Sequence, residues 1–370
     1  MQKLLYITDQ DEYVDHSFIA PLFEVYLKKY MDVDIVYFTD FKSDFARKDA
    51  HHFVVPSCSK KKLFTELRNN GIALESYDYM MVRNNITLLK KVLKYRSTYG
   101  YKALFRFSYP RRSVNIYCEE AEHKNQFFNQ CLHYLHTKKE TKIINKCDAF
   151  LPTSPSMHKR FRPDVHIPTI FCAPAINPAS LHAHQQHDSD ELRFVYVGTL
   201  DKVRKFSTIL DAFSSLKNGK WKLYISTRDV EFIQTLLATY PNLKEHIKVY
   251  NAKTKDALLE LIAKADIGIA LLPNLPIYNT STPVKVYDYY SSAVPCLMTQ
   301  SAHTSTLFTD CHDAWFCEFD IETIKEKLNF LLSLPKEEIY TVGAQGQKRL
   351  LEVKNYEVIA KTIANQLEAL

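Results

Sequence analysis

LRFVYVGTLDKVRKFSTILDAF, residues 192–213, decides the fold. Its first six residues, LRFVYV, are nearly all apolar and too few for a helix, so they read as a strand buried on both faces. Gly198 follows at once and allows a tight turn, and after a polar loop FSTILDAF places its apolar residues at helical spacing. Strand, glycine turn and helix open a βαβ unit. The pattern recurs downstream in WKLYIS (221–226), IKVYN (247–251), DIGIALLP (266–273) and PCLMT (295–299), with helical segments between them. Strands alternating with helices build a parallel sheet, and such sheets bind ligands beyond the carboxyl ends of their strands.

The first half follows the same grammar. KLLYIT (3–8), DIVYFTD (34–40), HHFVVPS (51–57), YDYMMVR (77–83), YKALFRFS (101–108) and CDAFLPTS (147–154) read as strands. Helical patterns lie between them over 18–30, 60–70, 86–95 and about 114–145. Six prolines between Pro152 and Pro178, then the polar run HAHQQHDSDE (182–191), mark an irregular passage and a linker. The expectation is an α/β chain of two Rossmann-like domains facing a cleft, with an N-terminal domain over 1–180 and a C-terminal one over 190–350. The closing helical pattern, with a break expected near Gly343 to Gly346, leaves 351–370 as a C-terminal helix returning towards the first domain.

Composition narrows the function classes. Hydrophobic residues make up 46% and charged residues 24% of 370, the balance of a globular protein rather than a disordered or fibrous one. Seven glycines cannot furnish an extended Gly-rich phosphate loop. The eight cysteines show neither a CxxC pair nor a disulfide framework, and no apolar run reaches the roughly 18 residues of a membrane span. The start, MQKLLYITDQDE, is too short in its apolar run for a signal peptide and reads as a first strand, so a cytoplasmic location is expected.

Charge is unevenly spread. Residues 1–185 hold 27 Lys and Arg against 19 acids, and the remainder 21 against 23. The stretch from Arg83 to Arg112 carries nine basic residues and no acid, interleaved with Leu, Val and aromatics. It points to an anionic partner: an anionic acceptor, or a membrane surface on whose inner face the protein would sit peripherally. A Rossmann helix with a solvated basic face gives the same pattern. No nucleic-acid motif accompanies these residues, so nucleic acid is not expected.

Strand-end loops supply the candidate site residues. Arg204 and Lys205 stand where a helix begins, and two cations with free helix N–H groups suit a diphosphate, although both also fit as surface charges. In STPVKVYDYYSSAVPCLMT (281–299), Pro283 starts a helix on which Lys285 and Asp288 share a face. There they could grip a phosphate and a ribose diol, or form a surface ion pair. In the first half the loops offer His16, Arg83 with Asn84, and Arg106. Glu119, Glu120, Glu122 and His123 form an acidic run on the long helix that reads as a solvated face, and no metal or cofactor is expected.

Taken together, VGTLDKVRK, DALLELIAKADIGIALLP and TPVKVYDYYSSAVPCLMT resemble the donor-binding half of GT-B glycosyltransferases of the GT4-like group (glycosyl transferases group 1). The resemblance implies a retaining, metal-independent transfer of a hexose-like sugar from a UDP- or GDP-linked nucleotide-sugar donor to a glycan or lipid-linked acceptor, as in bacterial surface polysaccharide or lipopolysaccharide synthesis. It implies donor contacts from Gly198, Thr199, Arg204, Lys205, Thr282, Pro283 and Lys285, with Asp288 on the ribose and the backbone of Tyr250 and Asn251 on the base. Arg83, Asn84 and Arg106 would meet the acceptor, and His16, Arg106, Arg204 and Lys285 would serve catalysis. The chain departs from the family at Thr199, where an Arg is common, at Thr280, where an acid usually touches the donor sugar, and in the Gly-free loop TDQDEYVDH (8–16). A nucleotide-sugar epimerase or phosphorylase on this fold, or a non-catalytic sugar-nucleotide- or partner-binding homologue, are the alternatives.

Overall fold

The structure, a computed structural model, describes residues 1–9, 19–41, 44–110, 113, 114, 116, 126–217 and 220–370. Two compact units emerge. One takes in the described residues up to Ala173 together with Tyr356–Leu370, and the other holds Pro174–Asn355.

The first unit is built on strands β1 (Lys3–Ile7), β2 (Asp32–Thr39), β3 (Ala46–Arg47), β4 (His52–Pro56), β5 (Tyr79–Arg83), β6 (Lys102–Phe107) and β7 (Ala149–Pro152). They lie in the order β3-β4-β2-β1-β5-β6-β7, parallel except for β3. Helices α1 (Leu63–Asn69), α2 (Ile86–Tyr99), α3 (Gln126–Ile144) and α4 (Pro155–Phe161) connect them. Where an α-helix was expected over 18–30, a π-helix spans Ala20–Tyr26 and a 3-10 turn Leu27–Lys29. Pro21 stands in the first turn, where its missing amide donor costs no intrahelical bond.

In the second unit, β8 (Leu192–Val197), β9 (Trp221–Ser226), β10 (Ile247–Tyr250), β11 (Ile267–Ala270), β12 (Cys296–Thr299) and β13 (Trp315–Cys317) form a wholly parallel sheet. Its order is β10-β9-β8-β11-β12-β13. The helices are α5 (Phe206–Ser214), α6 (Val230–Leu237), α7 (Lys255–Ala263), α8 (Pro276–Asn279), α9 (Val284–Ser291), α10 (Ile321–Ser333) and α11 (Lys336–Val353), and α12 (Tyr356–Glu368) belongs to the first unit. There Tyr356 stacks on Tyr26, Glu357 meets Lys29 at 2.9 Å, and Tyr79 Oη donates to the Leu367 carbonyl.

Both sheets therefore carry two Rossmann-like layers, with the strand order reversing between β1 and β5 in one and between β8 and β11 in the other. At such a switch point the connections leave in opposite directions and open a crevice beyond the strand ends.

The expected break at Gly343 to Gly346 is absent, and α11 runs through both glycines. They are there for close approach. A Cβ on Gly343 would lie 2.0 Å from the Ala293 carbonyl oxygen, and one on Gly346 2.2 Å from the Tyr290 ring. The polar run 182–191 is no free linker either. His184 Nε2 bonds the Ala265 carbonyl and its ring lies on Tyr340, His187 reaches Asp266 at 3.1 Å, and the Gln185 amide donates to Ala263. Imidazoles found carbonyl and carboxylate partners that composition alone does not reveal.

Gly268, in β11, faces the Tyr289 ring of α9, and a Cβ there would fall 2.3 Å from it. Overpacking at rigid contacts costs about 1–3 kcal/mol. Gly268→Ala is expected to lower the urea midpoint by an amount equivalent to at least about 2 kcal/mol with an unchanged m-value, and an unshifted midpoint would contradict the packing described.

Candidate functional site

At the switch point of the second unit, pairing of β8 with β11 stops at Val195 and Gly268. Tyr289 fills the gap beyond. Its hydroxyl accepts from the Val197 amide at 3.1 Å and donates to the Ile269 carbonyl at 3.0 Å, which pins α9 across the two diverging strands. Lys285 lies one turn earlier on the same face, as the four-residue spacing requires. Its Nζ sits 3.5 Å from the centroid of the Tyr196 ring, over Gly198, which adopts φ +127°. A Cβ on Gly198 would be 3.5 Å from Lys285 Cε, so the glycine serves the turn and leaves the lysine its place.

Part of the Lys285 stem is exposed, but Nζ is buried and has no hydrogen-bond partner among the described residues. Burial, and then the nearby Arg204 charge, hold its pKa well below the usual lysine value; Asp201 and Asp288 act in the opposite direction. An ammonium without a partner in a desolvated place is costly, and a bound anion would remove that cost. Arg204 stands in the same cluster. It is tied to Asp201 through its side chain and, at 2.9 Å, through its amide, and its guanidinium lies 5.9 Å from the Tyr278 ring centroid. Lys205 is exposed in a left-handed conformation (φ +46°) immediately before α5, a strained place for a non-glycine residue.

Asp288 is 8% exposed, and its partner is Lys255, the first residue of α7, rather than the Lys285 of the alternative surface-pair reading. The reading of Lys285 and Asp288 as an ion pair is thereby corrected: the lysine turns up to Gly198, and a lysine 33 positions away in sequence takes the carboxylate. Among the described residues Lys255 meets Oδ1 of Asp288, and Oδ2 has no hydrogen-bond partner. Tyr250 ends β10, and Asn251 follows it in the loop before α7. The Tyr250 carbonyl already accepts the Thr227 amide, and Asn251 is exposed. Thr282 is buried in the loop that Pro283 closes as N-cap of α9. Thr199 is exposed and its carbonyl accepts from Tyr196 Oη. Thr280, buried, donates to the Pro276 carbonyl and offers no carboxylate.

In the first unit the switch point holds a polar knot. Asp9, after β1, takes Arg83 at 3.2 Å and Asn84 Nδ2 at 3.0 Å. Arg83 Nε and Asn84 Nδ2 both donate to Ser108 Oγ at 2.9 Å, and Asn84 Oδ1 accepts the Ser108 amide. Sequence reasoning proposed Arg83 and Asn84 but missed Asp9 and Ser108, although an acid at the end of the first strand was the available signal. Arg106 differs from expectation. It is 1% exposed, bonded through Nη1 to Tyr6 Oη and set between the Tyr6 and Phe23 rings. Burial opposes its charge, but Cys172, Tyr6 and Asp9 hold its pKa above the usual value. Enclosed in this way, it presents no surface to an acceptor or sugar. His16 and the acidic run 119–123 lie outside the described residues.

Beside the knot is a cavity of about 240 Å³, lined among others by Asn84, Phe107, Tyr109, His133, Glu140 and Arg162. Arg162 and Glu140 neutralise each other at 2.6 Å, with the guanidinium over the Phe107 ring.

Residues 179–349 match the family model described as Glycosyl transferases group 1. Among curated proteins none matches the sequence. Solved structures do. Sucrose-phosphate synthase from Thermosynechococcus elongatus superposes with a TM-score of 0.74 at 14% identity, covering 100% of this chain and 99% of that one. Anabaena HepE in complex with UDP and glucose gives 0.69 at 10% identity over 100% of both chains. The apo lipopolysaccharide outer core galactosyltransferase WaaB gives 0.62 at 12% identity, covering 100% and 99%. Gly198, Arg204, Thr282, Lys285 and Asp288 all fall inside the segment that matches the glycosyl transferases group 1 model, on a chain of two Rossmann-like domains with the GT-B fold.

Proposed function

We propose that this chain is a retaining glycosyltransferase that takes a sugar from a UDP- or GDP-linked donor held by the second unit. The observation that carries the reading is the buried Lys285 Nζ, without a hydrogen-bond partner among the described residues, close to Arg204 beyond the end of β8. A diphosphate there would supply the missing anion, and Asp288 Oδ2 would accept from a ribose hydroxyl. As the sugar leaves, negative charge grows on the diphosphate. Lys285 and Arg204, already in place, stabilise it without reorganisation, and that chemistry requires no metal. The UDP complex of HepE, a protein of the same fold, supports a uridine donor.

The acceptor belongs to the cavity of the first unit. With Arg162 and Glu140 neutralising each other, its lining offers donors, acceptors and aromatic faces rather than net charge, which suits the hydroxyls of a glycan. WaaB, by its description, builds the lipopolysaccharide outer core, and a glycan or lipid-linked acceptor in bacterial surface polysaccharide synthesis is the corresponding role proposed here.

Lys285→Met tests the donor site through two readouts of opposite direction. Removing a buried charge in favour of an apolar side chain of similar shape is often neutral or stabilising, so the unliganded variant is expected to melt at or above the wild-type temperature. Affinity for the preferred of UDP, GDP and ADP is expected to fall about a hundredfold, and the nucleotide-induced rise in melting temperature with it. Wild-type melting unmoved by all three nucleotides would contradict the site, as would a variant that binds normally.

Asp288→Asn is expected to raise the donor dissociation constant about tenfold to a hundredfold, the value of hydrogen bonds to a charged group. Its loss of the Lys255 pairing is expected to cost about 1 kcal/mol of stability besides. Lys255→Gln separates the two effects: equal stability loss with near-normal affinity is expected, and equal affinity loss in both variants would make Asp288 structural.

A further inference from the structure

Helix α3 reverses the usual arrangement over most of its length. Asn129, His133, Thr137, Glu140 and Thr141 lie on its inward side, His133 and Glu140 lining the cavity, and its last turn alone sends apolar residues inward, with Ile144 in the core and Ile143 packed against it. Its outward side carries Phe128, Leu132 and Leu135, 64%, 39% and 54% exposed, with the exposed Cys131 among them and Tyr134, 57% exposed, at the edge. The spacing i, i+3, i+4 and i+7 puts residues 128, 131, 132 and 135 in one stripe, and Lys139 and Lys142, both exposed, continue it at i+11 and i+14. A helix on the surface of a water-soluble unit normally shows the reverse arrangement, since exposed apolar area forfeits about 25 cal/mol per Å².

Charge names the occupant. Lys138 stands beside the stripe, and α2, packed next to α3, exposes Lys90 and Lys94 while its own apolar residues Leu88, Leu89 and Val92 are in the core. Within the basic stretch singled out in the sequence, Lys90 and Lys94 form a solvated face, whereas Arg83 is held by Asp9, Arg96 by Asp148 and Arg106 lies in the core; the exposed apolar residues are on the neighbouring helix. A second copy of this chain would bring the same cations against these ones. We infer that the α3 stripe with Lys138, Lys139 and Lys142 docks the first unit onto an anionic phospholipid surface, the apolar side chains entering the headgroup boundary and the lysines meeting lipid charge.

The test uses the full chain without nucleotide, so its outcome is independent of the donor reading. Sedimentation is measured with vesicles of phosphatidylcholine and with vesicles of equal phosphatidylcholine and phosphatidylglycerol. Wild type is expected to sediment with the anionic vesicles, to be released by salt, and to bind phosphatidylcholine weakly. Joint replacement Phe128→Ser, Leu132→Ser and Leu135→Ser is expected to weaken anionic-vesicle binding about a hundredfold with no loss of melting temperature, because the side chains removed make no core. Lys138→Gln, Lys139→Gln and Lys142→Gln together are expected to weaken it similarly and to flatten the salt dependence. Failure of wild type to bind anionic vesicles, or undiminished binding by the serine variant, would overturn the inference. So would self-association in light scattering that the serine substitutions abolish, since a second copy would then cover the stripe.

Discussion

The second unit depends on one ring in one gap. Where β8 and β11 part, Tyr289 inserts over Gly268 and bonds both strands, and everything placed by α9 follows from that insertion. Lys285 is set over Gly198 because it shares the face of Tyr289, and Asp288 is turned to α7 because it does not. Tyr290, next in line, buries its ring against Gly346 of α11, so the same short helix is clamped from two sides by aromatic rings in glycine notches. Such a helix resists drifting, which is what a preorganised electrostatic site requires.

Two buried cations show how burial alone fails to identify function. Arg106 is almost wholly inaccessible, yet its neighbours Tyr6, Cys172 and Asp9 favour its charge, and the arrangement closes on itself. Lys285 is also enclosed at its charged end, but the Tyr196 ring, a glycine and another cation are its near surroundings, and burial with Arg204 outweighs the favourable charges of Cys296, Asp201 and Asp288. The first is a structural group tying strand ends to the core. The second has no hydrogen-bond partner among the described residues, and that asymmetry carries the proposed reading.

Much of the architecture was legible because buried parallel strands are nearly continuous apolar runs, and KLLYI or LRFVYV admits few other readings. Pro283, Lys285 and Asp288 were legible as a helix start with chemistry on it. Pairing was not: spacing suggested Lys285 for Asp288, whereas the fold delivers Lys255 from another helix, and only tertiary packing decides such a choice. Gly343 and Gly346 were misread as a break, since the same residue type serves flexibility and close approach alike. Helix α3 was legible as a helix, but which of its sides faces water is set by the cavity it borders.

The account stands on Lys285 lacking an anion in the free protein, and proton linkage measures that directly. In the free state burial and Arg204 hold its pKa well below the usual value. A bound diphosphate raises it, so between the two values binding takes up a proton and affinity falls as pH rises. Calorimetric titration of the preferred nucleoside diphosphate at several pH values from about 8 to 10, above the terminal phosphate's own titration at about 6, in buffers of different ionisation enthalpy, counts that proton wherever it is taken up. The account predicts net uptake by wild type and none by Lys285→Met. Binding without uptake, or equal uptake by both proteins, would contradict it.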